Sequence, residues 1–500
     1  MSWQKSVGNL KTQKDKFSIV LNVSEQLKRA SRGDLSLELL LPWRPIFRND
    51  PNFQFALALA YRDAQSHKNA LKAINRVVSR PHPAINHLHT AGKLKLENWQ
   101  EDAARDLRIA LKKDPNNLQI IKDLARALTC SAEFGEAEKL LEATLVDQPD
   151  WIEGLEQLSV LRHTSGQEDY DRAYERAVLK APDQIKLRLA WFQNCVKHKK
   201  WNIAKDVLDS ALNKFGDYRS LVSAKRFLLA ETQSDISFDD LFESVQELAD
   251  PGLDICRVRY ALKQSAPELA LSICELYTKT DFDRSFWPYI SLCWRLLDDK
   301  RFSWLERDGD FIKTLDLGLS GQELDELKSF LFSLHNHQRY YPEQSVRKGS
   351  QTDRNLLLAH FLEVQKLRNR IADRVREYIN SLPDIEPEHP FLRHERETVK
   401  FAGSWSVLLQ GAGYHSDHTH TQGWISSASY FNVPDPETRG PEPSGYLRFG
   451  ASPPELGLTL EPYKWIKPEV GKLVLFPSYT WHGTEPILDG QRLTVAFDVM

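Results

Sequence analysis

The stretch PNNLQIIKDLARALTCSAEFGEAEKLLEATLVDQP, residues 115–149, decides the architecture of the first half of the chain. Its apolar residues Ile121, Leu124 and Leu128, with Ala125 alongside, have the one-face spacing of an amphipathic helix. In the second helical run, the small residues Ala137 and Thr144 bracket the larger Leu141. Neither proline nor glycine continues a helix well, so Pro115 and Pro149 each stop one helix and admit the next. Outward from this stretch the pattern repeats. Pro81, Pro115, Pro149 and Pro182 recur at a near-constant step of about 34 residues, and Gly216 falls on the next step. Ala103, Leu107 and Ala110 repeat the small-large-small order, as do Ala204, Leu208 and Ala211, with Tyr174 the large member between them. Small residues let two helices cross closely while the large one fills the groove. The fixed period predicts stacked helical hairpins, at least four between about residues 50 and 218.

This period and pattern resemble the tetratricopeptide repeat family. The expected organisation is an N-terminal helical segment over residues 1–48, repeats over 49–218 and a degenerate helical extension over 219–335. Within the extension, residues 241–248, 269–276 and 324–334 keep a helical spacing without the regular beat. Stacked repeats make a concave surface, so they serve either as a scaffold or as a groove for a protein or peptide partner.

Composition excludes several classes. Sixty-six Lys and Arg against 69 Asp and Glu give a net charge of −3, with no basic excess for nucleic-acid binding. No apolar run reaches the ~18 residues that a membrane span needs. The N-terminus, MSWQKSVGNLKTQKDKF, lacks an apolar h-region, which argues against a secretory signal. Cys130, Cys195, Cys256, Cys274 and Cys293 are odd in number and widely spaced, as small core residues in a reducing compartment are. A cytoplasmic protein is expected.

Near residue 340 the character changes. HQRYYP (337–342) breaks the helical pattern, a polar loop follows at 345–352, and one more helix fits 362–382. Then come short runs separated by turn residues, at 404–410, 424–433, 446–449, 458–460, 472–476 and 493–499. Short strands at close spacing predict a β sandwich or barrel over residues 336–500. The fold class is thus multidomain, an α-helical solenoid followed by a β domain.

The chemistry concentrates in the last hundred residues, where His415, His418, His420 and His482 lie. Side chains at i and i+2 of a strand share a face, so His418 and His420 can chelate one ion together. His482, after the apolar run LVLF (473–476) and a Pro-Ser turn, is the candidate third ligand. His415 with Asp417 would instead supply a carboxylate ligand, and strand parity makes the two pairs exclusive unless a bulge intervenes. Arg492 and Thr494 share a face of the last strand and form a clamp suited to a carboxylate. An inward arginine in such an apolar strand needs an anionic partner.

These residues resemble the iron(II)- and 2-oxoglutarate-dependent dioxygenases. More closely, residues 345–499 are similar to a 2-oxoglutarate oxygenase family often fused behind tetratricopeptide repeats. The matching phrases are SVRKGSQT (345–352), GSWSV (403–407), HTH (418–420), GWISS (423–427) and LFPSYTWHGT (475–484). The resemblance implies a double-stranded β-helix (jelly roll) with Fe(II) on His418, His420 and His482. It also implies 2-oxoglutarate as co-substrate, its far carboxylate on Arg492 and Thr494, dioxygen as the oxidant, and hydroxylation of a C–H bond. Thr421 stands where the family more often has proline. Peptidyl hydroxylation is expected from the fused repeats, by association alone.

Rival readings are a repeat scaffold with a cupin-like or inactive metal-binding β domain, and a zinc hydrolase using Asp417 as base. The acid that cupins carry after H-x-H is absent from residues 421–431, and a cupin leaves Arg492 without a role. Trp405, Trp424 and Tyr430 are either pocket or core, and PDPETRGPEPS (434–444) is either a lid or a solvated linker.

Overall fold

A computed structural model describes residues 13–29, 32–233, 235–242, 250–335 and 345–500, the side chains of 13–16 excepted. The helix break expected at 337–342 lies outside the described residues, as do residues 1–12 and most of the helical run 241–248. The chain forms two compact units, residues 1–144 with 358–365, and residues 145–357 with 366–500.

Among the described residues, every element of the first unit is helical. Helices Pro51–Asp63, His67–Val78, Ile85–Glu97, Ala103–Lys113 and Leu118–Cys130 follow one another across short turns. Asp50 caps the first of these by accepting from the Phe53 N–H at 2.9 Å, with Pro51 at its first turn. Asn117 caps the last in the same way. Phe53, Leu57, Ile74, Ala91 and Leu94 share one core. Of the small residues expected at crossings, Ala103, Ala110 and Ala137 are buried. Gly92, which the pattern did not single out, meets Leu107 so closely that an added Cβ would lie 2.4 Å from its Cγ. Residues 358–365 join this unit through Asn98, whose side chain donates to the Leu358 carbonyl at 2.5 Å. The Asn98 carbonyl accepts from the His360 N–H at 3.1 Å.

In the second unit the hairpins continue as Ile152–Thr164, Arg172–Lys180, Ile185–Lys197, Trp201–Phe215 and Arg219–Thr232. Tyr174, Ala204, Leu208 and Ala211 are buried between them. Helices Pro251–Lys263, Pro267–Glu275, Trp287–Leu296 and Arg301–Glu306 carry the chain on to the β domain. None of the five cysteines forms a disulfide.

Nine strands occur among the described residues: β1 (Lys313–Asp316), β2 (Val346–Gln351), β3 (Phe401–His415), β4 (Ile425–Asn432), β5 (Leu447–Phe449), β6 (Lys464–Ile466), β7 (Lys472–Pro477), β8 (His482–Thr484) and β9 (Gln491–Val499). Six form an antiparallel sheet in the order β1-β7-β4-β9-β3-β2, and three form a second in the order β6-β5-β8. Ala428 and Tyr430 of β4, Val474 and Phe476 of β7, and Leu447 and Phe449 of β5 share one core, so side chains of both sheets meet there. On the six-stranded sheet, helix Gly321–Ser333 packs against β4 and β9. Its start is fixed by a capping box between Ser320 and Glu323.

Three local expectations are corrected. Residues 458–460 form no strand; the Leu458 carbonyl accepts from the Ser452 hydroxyl at 3.1 Å, and the pairing strand is β6, further on. Residues 345–352, read as a polar loop, contain β2, an edge strand whose exposed face carries the polar residues. β1 falls within the stretch read as helical extension and pairs with β7.

The connection into β3 buries His389 completely. Its Nε2–H donates to the Trp304 carbonyl at 3.2 Å, and Nδ1 accepts from the N–H groups of Phe391 and Leu392 at 3.1 and 3.3 Å. Burial pushes its pKa down to about 4. The unfolded chain therefore binds this proton near pH 6.5, and stability falls as pH drops from there towards 4. At pH 5 this one imidazole costs about 2 kcal/mol relative to pH 8. Urea titrations at the two pH values should show that loss, smaller by this amount in His389→Asn. An equal pH dependence in the variant would refute the assignment.

Candidate metal centre

Alternation along β9 sets one wall of the site. Leu493, Val495, Phe497 and Val499 face one side, and Arg492, Thr494 and Asp498 the other, all buried. β3 ends at His415, after which the chain leaves the sheet and crosses to β8. There His418 and His482 exchange both backbone hydrogen bonds, at 3.0 and 3.1 Å, as an isolated antiparallel bridge. Two residues on, the His420 N–H donates to the Ser478 carbonyl at 2.9 Å. This arrangement brings His418, His420 and His482 together, with one nitrogen from each within 4.8 Å of the others.

Hydrogen bonds determine which nitrogens are available. His418 Nδ1 lies 2.7 Å from the Ser416 carbonyl and His482 Nδ1 lies 3.0 Å from the Thr480 carbonyl. A carbonyl only accepts, so both Nδ1 atoms carry the proton. His420 Nδ1 lies 2.7 and 2.8 Å from the two oxygens of Asp498, which accepts in the same way. Each ring is left with Nε2 as its lone-pair atom, and that of His418 lies 3.3 Å from the Ser345 hydroxyl. Burial and the neighbouring imidazoles push the pKa of His482 well below the ordinary range and that of His418 down to about 3. Neutral imidazoles whose Nδ1–H is anchored are the form that binds transition metals.

The alternative pair is engaged elsewhere. Asp417 accepts from Arg448 Nε at 3.0 Å and Nη2 at 2.6 Å, and Arg448 Nη1 donates to Glu485 at 2.9 Å. Gly483 makes room for this carboxylate, since a Cβ there would lie 2.6 Å from Asp417 Oδ1. His415 Nδ1 pairs with the Thr484 hydroxyl at 3.1 Å.

Arg492 is 1% exposed. Its Nη1 donates to the Gly445 carbonyl at 3.0 Å, its guanidinium lies 5.0 Å from the centre of the Tyr430 ring, and its Nε has no partner. No carboxylate among the described residues pairs with it. Thr494 shares its face, but the hydroxyl is directed at the Val407 carbonyl, 3.5 Å away. Of the aromatic candidates, Tyr430 lies under Arg492 and the Trp405 ring is 5.5 Å from that of His420. Trp424 donates to the Phe391 carbonyl at 2.9 Å and lines a small pocket together with His420. The 434–444 stretch is laced to residues 485–489: Leu488 N–H donates to Arg439 and Asp489 N–H to Thr438, at 2.7 and 3.1 Å.

Two supports escape a reading of the sequence. Asp498, which also accepts from the Ser426 hydroxyl at 2.7 Å, could have been placed by parity with Arg492 and Thr494. The loop carrying His482 is fixed from far away. Tyr479 Oη donates to the Leu305 carbonyl at 2.7 Å and Trp481 Nε1 to the Pro288 carbonyl at 2.8 Å. Thr480 Oγ1 donates at 3.2 Å to Glu306, a fully buried carboxylate that also accepts from Ser291 and Tyr463. No local pattern announces contacts between residues so far apart in the chain.

Residues 403–498 match the family described as "Putative 2OG-Fe(II) oxygenase". The chain carries that family's domain behind a helical repeat. The matched segment contains the three clustered histidines, Asp498 and Arg492. No curated protein matches the chain. Among solved structures, it is similar to a Pseudomonas putida prolyl-4-hydroxylase, with 15% identity and a TM-score of 0.27 over 39% of this chain and 94% of that one. It is also similar to YrrB, described as a TPR protein with an unusual peptide-binding site, with 12% identity and a TM-score of 0.29 over 45% of this chain and 98% of that one. For yeast Tom70 the values are 17% and 0.38, over 60% and 67%.

The donor set fits the cofactors of that family. Three imidazoles with one nitrogen each within 4.8 Å of the others suit a divalent transition metal. A buried arginine without a carboxylate suits an anionic ligand.

Proposed function

We propose that the C-terminal domain is an iron(II)- and 2-oxoglutarate-dependent oxygenase, a hydroxylase built on a double-stranded β-helix. In this reading His418, His420 and His482 hold the ion through Nε2, and Arg492 receives the far carboxylate of the co-substrate, with Thr494 on the same face. Bound there, iron and 2-oxoglutarate supply, with dioxygen, the oxidising power for hydroxylating a C–H bond. The chain's own part is positional. Asp498 and the carbonyls of Ser416 and Thr480 keep a proton on each Nδ1, and Arg492 orients the co-substrate. The observation that carries the reading is the convergence of three Nδ1-anchored histidines in the same domain as a buried arginine lacking an anion.

The helical repeats, in the same reading, recruit a protein or peptide substrate. No described helix is long and apolar enough to cross a membrane. A cytoplasmic setting belongs to the proposal and rests on the cysteine usage.

Anaerobic titration of the full-length apoprotein with Fe(II) and then 2-oxoglutarate tests the assignment. A visible charge-transfer band that forms only with both present, and is lost in Arg492→Ala, is the expected result. Stoichiometric iron without a band would favour a cupin-like centre. No iron at all would leave a repeat scaffold.

A further inference from the structure

Arg492 is not the only buried cation of its kind. Arg439, in the loop between β4 and β5, is 3% exposed, and its Nε likewise has no partner. The two arginines meet at Gly445. Arg492 Nη1 donates to its carbonyl, and a Cβ added there would lie 3.0 Å from Arg439 Cδ. A third group lies with them. The buried hydroxyl of Tyr430 feels the charge of the Arg492 guanidinium above its ring but has no hydrogen-bond partner of good geometry.

No carboxylate among the described residues neutralises this pair. The Arg439 guanidinium lies 5.4 Å from the centre of the Tyr446 ring, a contact that holds a cation without cancelling its charge. Glu442, the acid whose pKa Arg439 helps to lower, is exposed and engaged by Lys467 at 2.9 Å and by the Tyr446 hydroxyl at 2.6 Å. Burial and the charge of Arg439 both lower the pKa of Arg492, the mark of two cations within reach of each other in a dry place. Two buried guanidinium groups that flank one glycine without a carboxylate are costly, and the cost is relieved by an anion with acceptor sites for both. A carboxylate, with about four lone-pair sites, can accept from two arginines and a phenol together.

Arg439 is also held in advance. It ends the short helix Pro436–Arg439, whose N-cap Asp435 accepts from the Thr438 N–H at 2.9 Å. Backbone hydrogen bonds from Leu488 and Asp489 fix that turn against the loop leading into β9. Little ordering remains to be done when a ligand arrives.

We propose that Arg439 is a second cationic contact of the co-substrate site, which with Arg492 and Tyr430 binds the far carboxylate and selects dicarboxylic over monocarboxylic 2-oxo acids. This rests on the oxygenase reading above. The stretch 434–444, which the sequence left as lid or linker, then becomes part of the anion pocket.

Calorimetric titration of the full-length protein loaded with Mn(II) tests this without turnover, using 2-oxoglutarate and 2-oxobutanoate, which lacks the far carboxylate. Arg439→Gln is expected to weaken 2-oxoglutarate about tenfold, the loss of one charge-assisted hydrogen bond, and to leave 2-oxobutanoate unchanged. Arg439→Met, which keeps the apolar stem, should do the same, and Arg439→Lys should recover part of the loss. Unchanged 2-oxoglutarate affinity in both Arg439→Gln and Arg439→Met overturns the proposal, as does an equal loss for both acids, which marks a packing role. Failure of wild-type protein to bind either acid overturns the oxygenase reading itself, and Arg439 with it.

Discussion

His482→Ala loses stoichiometric Fe(II) binding, whereas His415→Ala and Asp417→Asn retain it. The contrast follows from which nitrogens and oxygens are already engaged. Removing the His482 side chain leaves two imidazoles for the ion, while the backbone bridge to His418 is kept. Asp417 would have to abandon two short hydrogen bonds from Arg448 to reach an ion, and charge-assisted pairs of this kind are among the strongest a side chain makes. Asp498→Asn should give an intermediate result, roughly ten- to a hundredfold weaker iron binding, because an asparagine can turn its oxygen to His420 but carries no charge. Anaerobic iron titration monitored by metal analysis after desalting measures these four variants and His420→Ala. Iron lost from Asp417→Asn but kept in His420→Ala would assign the carboxylate, not the imidazole, to the ion.

The histidine cluster was legible for a reason that only partly matches its geometry. Strand parity singled out His418 and His420 as a pair. In the structure they lie beyond the end of β3, on a crossing segment tied to β8 and Ser478 by backbone hydrogen bonds at alternate residues. The i, i+2 rule still works there, because a chain bonded to a neighbour in that way is locally extended. Parity had more to give. Arg492, Thr494 and Asp498 share a face, yet Asp498 drew no notice, since a lone acid near the end of an apolar strand has no spacing partner.

Helical repeats read more clearly than the β domain because their determinants are local. A proline or glycine at each repeat boundary and small residues at fixed offsets are visible in any window of one repeat, and Ala103, Ala110, Ala137, Ala204 and Ala211 are all buried. Sheet membership depends on distant partners. Lys313–Asp316 becomes β1 because β7, far along the chain, offers a free edge, and so short a strand cannot display an alternation. Glu306 is a sharper case. In sequence it is one acid of 69, while in the fold it anchors the threonine whose carbonyl holds the His482 proton.

Arg492→Met is expected to stabilise the apoprotein and to abolish its response to 2-oxoglutarate. The two effects have one cause. A guanidinium that is 1% exposed and lacks a carboxylate has given up most of its hydration for one carbonyl and one aromatic face. Buried ionic groups replaced by apolar residues of similar volume commonly leave a protein more stable by about 1–4 kcal/mol. For a β domain of this size each such kcal/mol raises the melting temperature by about 2–4 °C. Methionine keeps the unbranched stem against Tyr430 and removes only the charged head. Beyond the stabilisation by Mn(II), wild-type protein should gain about 2.7 kcal/mol from a hundredfold excess of 2-oxoglutarate over its dissociation constant, and the variant none. Thermal unfolding of both proteins, with metal alone and with metal plus 2-oxoglutarate, therefore gives a variant that melts above wild type with metal alone and a co-substrate shift confined to wild type. A variant that melts below wild type without ligand and still rises with 2-oxoglutarate would show that the charge of Arg492 is compensated by the fold and not by an anion.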